Sequence, residues 1–123
     1  MSINPVGWFE IYVQDINRSK KFYESVFDVK LDDISQPEIE MWCFPCEIDS
    51  KGATGALAKM EGIPSGGNST VVYFNCEDCA NESAKISNNG GTIQREKFSI
   101  GEHGFIALAL DTEGNMIGLH SMK

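Results

Sequence analysis

Three short patterns in this chain carry side chains able to do chemistry. Along 7–13, GWFEIYV, residues Trp8, Glu10 and Tyr12 alternate, so an indole, a carboxylate and a phenol share one strand face. Along 70–76, TVVYFNC, Val71, Tyr73 and Asn75 alternate in the same way. Near the end, Met116, Gly118 and His120 share a face. If the three faces line one cleft, it holds an acid, an amide, phenols and an imidazole, walled by Trp8 and Trp42. That is the mostly apolar composition of a small-molecule pocket with a few convergent polar groups. Glu10 reads as a general base or as an anchor for a cation, and equally as a solvated or ion-paired Glu at the mouth of a sheet. His120 reads as a proton donor or substrate ligand, or as a hydrogen-bonded core or terminal histidine. Tyr73 is its alternative as catalytic partner; Tyr73 and Trp42 read also as packing. His103, between Glu102 and Gly104, lies in a loop able to act as a lid, or is simply an exposed loop histidine. Phe105 opens the apolar run after it. Gly118, bare on a lining strand, leaves room for a ligand or another backbone.

The four cysteines form two C-x-x-C pairs, Cys43/Cys46 and Cys76/Cys79. Spacing alone allows a tetrahedral Cys₄ zinc site. The local context favours small buried hydrophobes instead, since Cys76 ends a strand and Cys79 begins a helix, and the two side chains then point apart. Disulfides do not suit a cytoplasmic protein, the compartment expected here.

The elements that would position these residues follow from periodicity. Strand 7–13 puts Phe9, Ile11 and Val13 on its apolar face. Asp15 or Asn17 caps a helix over 18–27, with Phe22, Tyr23, Val26 and Phe27 at helical spacing. A second strand follows 28–31. Residues 39–47 read as a strand ended by Pro45, Ser50-Lys51-Gly52 as a turn, and 53–60 as a strand of small residues. Residues 61–68, EGIPSGGN, are linker-like. The pattern then restarts with a strand at 70–76, a helix over 81–89 stopped by Gly90-Gly91, and a strand at 92–97. Last comes a hairpin, 105–110 and 116–120, around Asp111-Thr112-Glu113-Gly114-Asn115. Setting Asp78 over Asp15 superposes Cys76 on Val13, Cys79 on Ile16 and Ile86 on Tyr23, a weak internal repeat. One domain, 1–123, is expected, with module one at about 5–61, a linker at about 62–68 and module two at about 69–123.

Composition narrows the function. The chain has 123 residues, 41% of them hydrophobic, enough for one core. Its formal net charge of −8 repels nucleic-acid backbones and acidic membrane surfaces. No stretch is long and apolar enough to cross a bilayer, and the first residues show no secretory signal pattern. No Walker loop, dinucleotide-binding glycine pattern or Gly-x-Ser-x-Gly elbow is present.

Asp15 with Phe22-Tyr23, the restart over 71–78, the segment 99–107 and the ending 111–119 together resemble the vicinal oxygen chelate superfamily. That group contains glyoxalase I, bleomycin-resistance proteins and extradiol dioxygenases. The sequence is most similar to bacterial proteins described as enzymes related to lactoylglutathione lyase, and the resemblance covers almost the whole chain. It implies an α+β fold of two βαβββ modules, whose curled mixed sheets enclose a cleft. In the metal enzymes of the group, ligands come from the first and last strand of each module. Those positions here are Trp8, Val71, Gly118 and one within 55–57, none with a metal-binding side chain. The resemblance therefore implies a protein with no metal and no cofactor. It acts on or binds a small hydrophobic molecule, either as a lyase or isomerase with Glu10 as base or as a non-catalytic binder of bleomycin-resistance type. A homodimer is expected, with modules packed or exchanged between chains.

Overall fold

Two aspartates start the two helices. The Asp15 carboxylate accepts from the Arg18 backbone N–H, and that of Asp78 from Ala80, each at 3.0 Å. Each thereby satisfies a donor that a helix leaves free at its first turn. In the computed structural model, which describes residues 6–47 and 52–123, the helices accordingly begin directly after these caps. The first, α1, is Ile16–Phe27 and the second, α2, is Cys79–Ile86, each starting two residues earlier than periodicity indicates. A short 3-10 turn, Ser87–Asn89, continues α2 to the Gly90 stop. The α1 stripe Ile16, Ser19, Phe22, Tyr23 and Val26 is buried at three- and four-residue spacing. Asp28 closes α1 in a left-handed conformation, and the next strand begins at Asp32, after 28–31 as expected.

The strands of module one are β1 (Trp8–Tyr12), β2 (Asp32–Asp33), β3 (Glu40–Cys43) and β4 (Thr54–Lys59). Those of module two are β5 (Val72–Asn75), β6 (Thr92–Ser99), β7 (Phe105–Leu110) and β8 (Met116–Ser121). Each module forms one mixed four-stranded sheet, in the order β1-β4-β3-β2 and β5-β8-β7-β6. The β1–β4 and β5–β8 pairs are parallel and the remaining pairs antiparallel. The internal repeat is real in hydrogen bonds. Val13 N–H donates to the Ala58 carbonyl at 2.9 Å, and Cys76 N–H to the His120 carbonyl at 2.8 Å. The expected turn at Ser50-Lys51-Gly52 falls largely outside the described residues.

Both modules bury their helix-facing sides in one shared core. Phe74 of β5 lies 4.5 Å from Phe27, 5.5 Å from Phe44, 5.8 Å from Tyr23 and 6.1 Å from Phe9, centroid to centroid. Gly55 of β4 makes room for this: a Cβ there would strike the Phe9 carbonyl and ring. The expected βαβββ modules are thus present, but the expected enclosure is not. The sheets do not close on each other, because the apolar surface that joins them is on the helix side. The opposite faces, which carry Glu10 and His120, are left open.

The turn between β7 and β8 fastens the modules together. The Glu113 side chain, fully buried, takes both Arg18 Nε (2.7 Å) and Nη2 (2.8 Å), together with the backbone N–H of Gln14 and Asp15 and the Thr112 hydroxyl. Asp111 accepts the buried Tyr23 hydroxyl at 2.7 Å. Asn115 donates to the Tyr12 carbonyl at 3.0 Å and accepts from the Gly66 N–H at 2.6 Å. The linker is therefore pinned rather than loose: Ser65 also donates to the Tyr12 carbonyl, and Asn68 pairs twice with the Met116 backbone.

Burial alone would raise the Glu113 pKa, but its hydrogen bonds from Arg18, Thr112 and the Gln14 and Asp15 amides outweigh burial. They hold it at about 2 against an ordinary 4.5. Because the folded value is the lower one, the contribution is complete above pH 4.5 and is lost as the pH falls toward 2. Glu113→Gln should cost about 2 kcal/mol at pH 7, the scale of hydrogen bonds to a charged group. Urea unfolding at pH 7 and pH 2.5 should show the gap to wild type shrinking at the lower pH. A gap independent of pH would contradict this account.

Candidate functional site

On the open face of β1, the Glu10 carboxylate is held from both sides. Its Oε2 accepts the Trp8 indole N–H at 3.1 Å, and its Oε1 accepts the Tyr12 hydroxyl at 2.8 Å. The alternation that puts all three on one face also sets donors two residues either side of the acid. Tyr12 is made a weaker acid, first by its hydrogen bond to Glu10 and then by burial. Beneath them, β4 presents Thr54, Ala56 and Ala58 in register with Trp8, Glu10 and Tyr12, and the two alanine methyls are completely covered. Trp8 remains 43% exposed and Glu10 is exposed.

The matching face of module two is arranged differently. Tyr73 pairs with Gly118 and Asn75 with His120. Tyr73 is 45% exposed and its ring lies over Gly118, where an added Cβ would collide with it. The space expected to admit a ligand at Gly118 is therefore occupied by the Tyr73 ring. His120 Nε2 lies 2.7 Å from the His103 carbonyl oxygen, so with its proton on Nε2 it donates there. That bond ties the short helical turn Gly101–His103 to β8. The side chain of His103 points to solvent beside Glu102.

The candidate residues therefore fall into three small groups: Trp8–Glu10–Tyr12, Tyr73–Gly118 with Asn75 nearby, and His103–His120. Trp42 and Phe105 belong to none of them. Both lie on the helix side of their sheets: Trp42 packs under the Lys20 ammonium of α1, and Phe105 packs against buried Cys79, Ala107 and Leu119. A hollow of about 400 Å³ opens beside Glu10 and Tyr12, between the free edge of β1, the linker residues Pro64, Gly66 and Asn68, and Met116. A second hollow, of about 270 Å³, lies at the module seam and is bordered by Tyr73 and Asn75. Its phenylalanine walls come from residues far apart in the chain, and no local pattern signalled their meeting.

The cysteines do not assemble. Cys79 is buried, Cys43 and Cys76 are half-buried and Cys46 is exposed; all four are free thiols. Only Cys79 fits the expectation of a buried hydrophobe. Cys43 shares the open face with Ala56, and Cys46 follows Pro45 beyond the end of β3. Among the described residues, no group of three or more His, Cys, Asp or Glu side chains is placed to hold a metal ion. The strand register also identifies the fourth position of the metal enzymes' ligand set. Ala56 stands opposite Glu10 as Gly118 stands opposite Tyr73. Trp8, Ala56, Val71 and Gly118 offer no carboxylate, imidazole or thiolate, so these positions do not fit a divalent ion.

The family model of the Glyoxalase/Bleomycin resistance protein/Dioxygenase superfamily matches residues 5–119. The chain belongs to this superfamily. Solved structures repeat its fold. Glyoxalase I from Zea mays is 21% identical with a TM-score of 0.75, over 96% of this chain and 46% of the maize chain. This superfamily member thus spans about half the length of the maize enzyme. A glyoxalase/bleomycin resistance protein from Albidiferax ferrireducens T118 is 23% identical with a TM-score of 0.69, over 94% and 98% of the two chains. An antibiotic binding protein from Streptomyces sp. CB03234 is also 23% identical with a TM-score of 0.69, over 98% of both. No curated protein sequence matches. No helix among the described residues is long and apolar enough to cross a membrane.

The Tyr73–Gly118 contact gives a direct test. Gly118→Ala should swing the Tyr73 ring outward and cost about 1–3 kcal/mol, as overpacking does. Thermal unfolding and the ring-proton shifts of Tyr73 report the two effects, and an alanine variant with unchanged stability and shifts would disprove the contact.

Proposed function

We propose that this protein binds a small apolar cation without a metal ion, docking it against Glu10 between the Trp8 and Tyr12 rings. The carrying observation is that both Glu10 oxygens already accept a hydrogen bond from an aromatic neighbour. That arrangement fixes a negative charge in place beside two ring faces, and such a site favours an organic cation. The formal charge of −8 draws the same ligands toward the protein. The antibiotic binding protein from Streptomyces, of the same fold and length, supports a sequestering role over turnover. The donor-poor set Trp8, Ala56, Val71 and Gly118 supports metal-free action. The second reading, a lyase or isomerase with Glu10 as base and Tyr73 or His120 as partner, draws on the fold of glyoxalase I. It is weakened by the His120–His103 bond, which occupies one ring nitrogen on the other module.

A homodimer belongs to the same reading. Trp8 and Tyr73, each more than two-fifths exposed, stand on the open sheet faces, and a second copy would cover them. Four free thiols suit a cytoplasmic location.

Proflavine, a flat aromatic cation, is a suitable probe. It should quench Trp8 fluorescence on binding, and Glu10→Gln should weaken it about tenfold, or ~1.4 kcal/mol. Proflavine affinity unchanged in that variant would end the proposal. If Glu10→Gln instead leaves binding of a candidate substrate intact and stops its turnover, the enzymatic reading replaces it. Sedimentation equilibrium should find a dimer; a stable monomer at high concentration would refute the oligomeric part.

A further inference from the structure

The 270 Å³ hollow at the module seam reaches the shared core, has Thr54, Tyr73 and Asn75 also on its border, and is not lined by Trp8, Glu10 or Tyr12. Its walls are the rings of Phe9, Phe27, Phe44 and Phe74, with Val29 and Val72 beside them. At interior packing density this volume takes roughly ten to twelve non-hydrogen atoms. One charged side chain borders it, Glu82 on α2. The Glu82 Oε1 atom is buried and has no hydrogen-bond partner, and no Lys, Arg or His pairs with this carboxylate among the described residues. The nearby Cys76 thiol donates to the Phe74 carbonyl at 3.6 Å and is a weak hydrogen-bonding neighbour of the Glu82 carboxylate, with Oε1 itself left unpaired. Burial, and then the charge and hydrogen bond of Glu82, push the Cys76 thiol up to about 12, so it stays neutral and offers Glu82 only a weak donor.

A carboxylate oxygen left unpaired beside aromatic rings is costly, and the negative ring faces make it more so. A cation reverses both effects, since it pairs with the carboxylate and is attracted by the rings. We propose that this seam cavity is a second ligand site for a small organic ammonium with an aromatic or branched aliphatic body, its nitrogen on Glu82 and its body among the four phenylalanines. A neutral ligand of the same shape fills the space but leaves Oε1 less well satisfied, and an anion is repelled. The site does not depend on the Glu10 reading.

The test uses the full chain and phenethylamine, with 2-phenylethanol and 3-phenylpropionate as neutral and anionic counterparts. Calorimetry should show the amine binding at least tenfold more tightly than the alcohol, and the acid not at all. Methyl NMR should show shifts at Val29, which borders only this hollow, and these should persist in Glu10→Gln whatever the Trp8 indole N–H does. Glu82→Gln should remove the preference for the amine, whereas Glu10→Gln should leave it intact. Val29→Phe, which fills this hollow and not the one beside Glu10, should abolish binding of amine and alcohol alike at the seam while circular dichroism reports a native fold. Equal affinity for all three probes, shifts confined to Trp8, or amine binding lost in Glu10→Gln but kept in Glu82→Gln would overturn the proposal. Its failure on those grounds leaves the proflavine result at Glu10 standing, and the converse holds.

Discussion

The buried Glu113 carboxylate is the constraint on which the arrangement of the modules depends. It sits in a turn of module two, yet four of the five hydrogen bonds it accepts come from Arg18, Gln14 and Asp15, which bring the start of α1 to the turn; the fifth comes from Thr112 within the turn. Removing one partner from such a cluster leaves a desolvated charge uncompensated, which is why the cluster holds as a unit. Asp111 and Asn115 extend it to Tyr23, Tyr12 and the linker. A five-residue hairpin turn thus sets where module two stands relative to module one.

That placement decides which surfaces are available for function. With the helix sides of both sheets merged around Phe74, the faces bearing Glu10 and Tyr73 point outward. The consequence is a pair of open faces rather than one enclosed cleft, and a seam with a hollow at either end. Each face has its own way of using a small residue. Gly55 accommodates Phe9 on the core side, and Gly118 accommodates Tyr73 on the open side. A bare position in a lining strand is thus a place for a neighbour from the adjacent strand before it is a place for a ligand.

Much of this was legible in the amino-acid order. The strand and helix periods, the aspartate caps and the Asp111–Asn115 turn are local, and local chemistry specifies them within a few residues. The repeat aligning Asp15 with Asp78 placed the equivalent positions of the two modules correctly, down to the paired backbone bonds of Val13 and Cys76. The shared face of Trp8, Glu10 and Tyr12 follows from a period of two.

What only the tertiary structure decided is which face meets which partner. A period assigns Trp42 and Phe105 to one side of a strand, but the helix that covers that side is chosen by packing across the chain. Glu113 reads locally as an exposed turn residue, and its burial appears only when α1 arrives with Arg18. The seam cavity needs Phe9 of β1, Phe27 of α1, Phe44 just after β3 and Phe74 of β5 together. Contacts between distant residues leave no local signature, because periodicity encodes the direction a side chain points and not what it will touch.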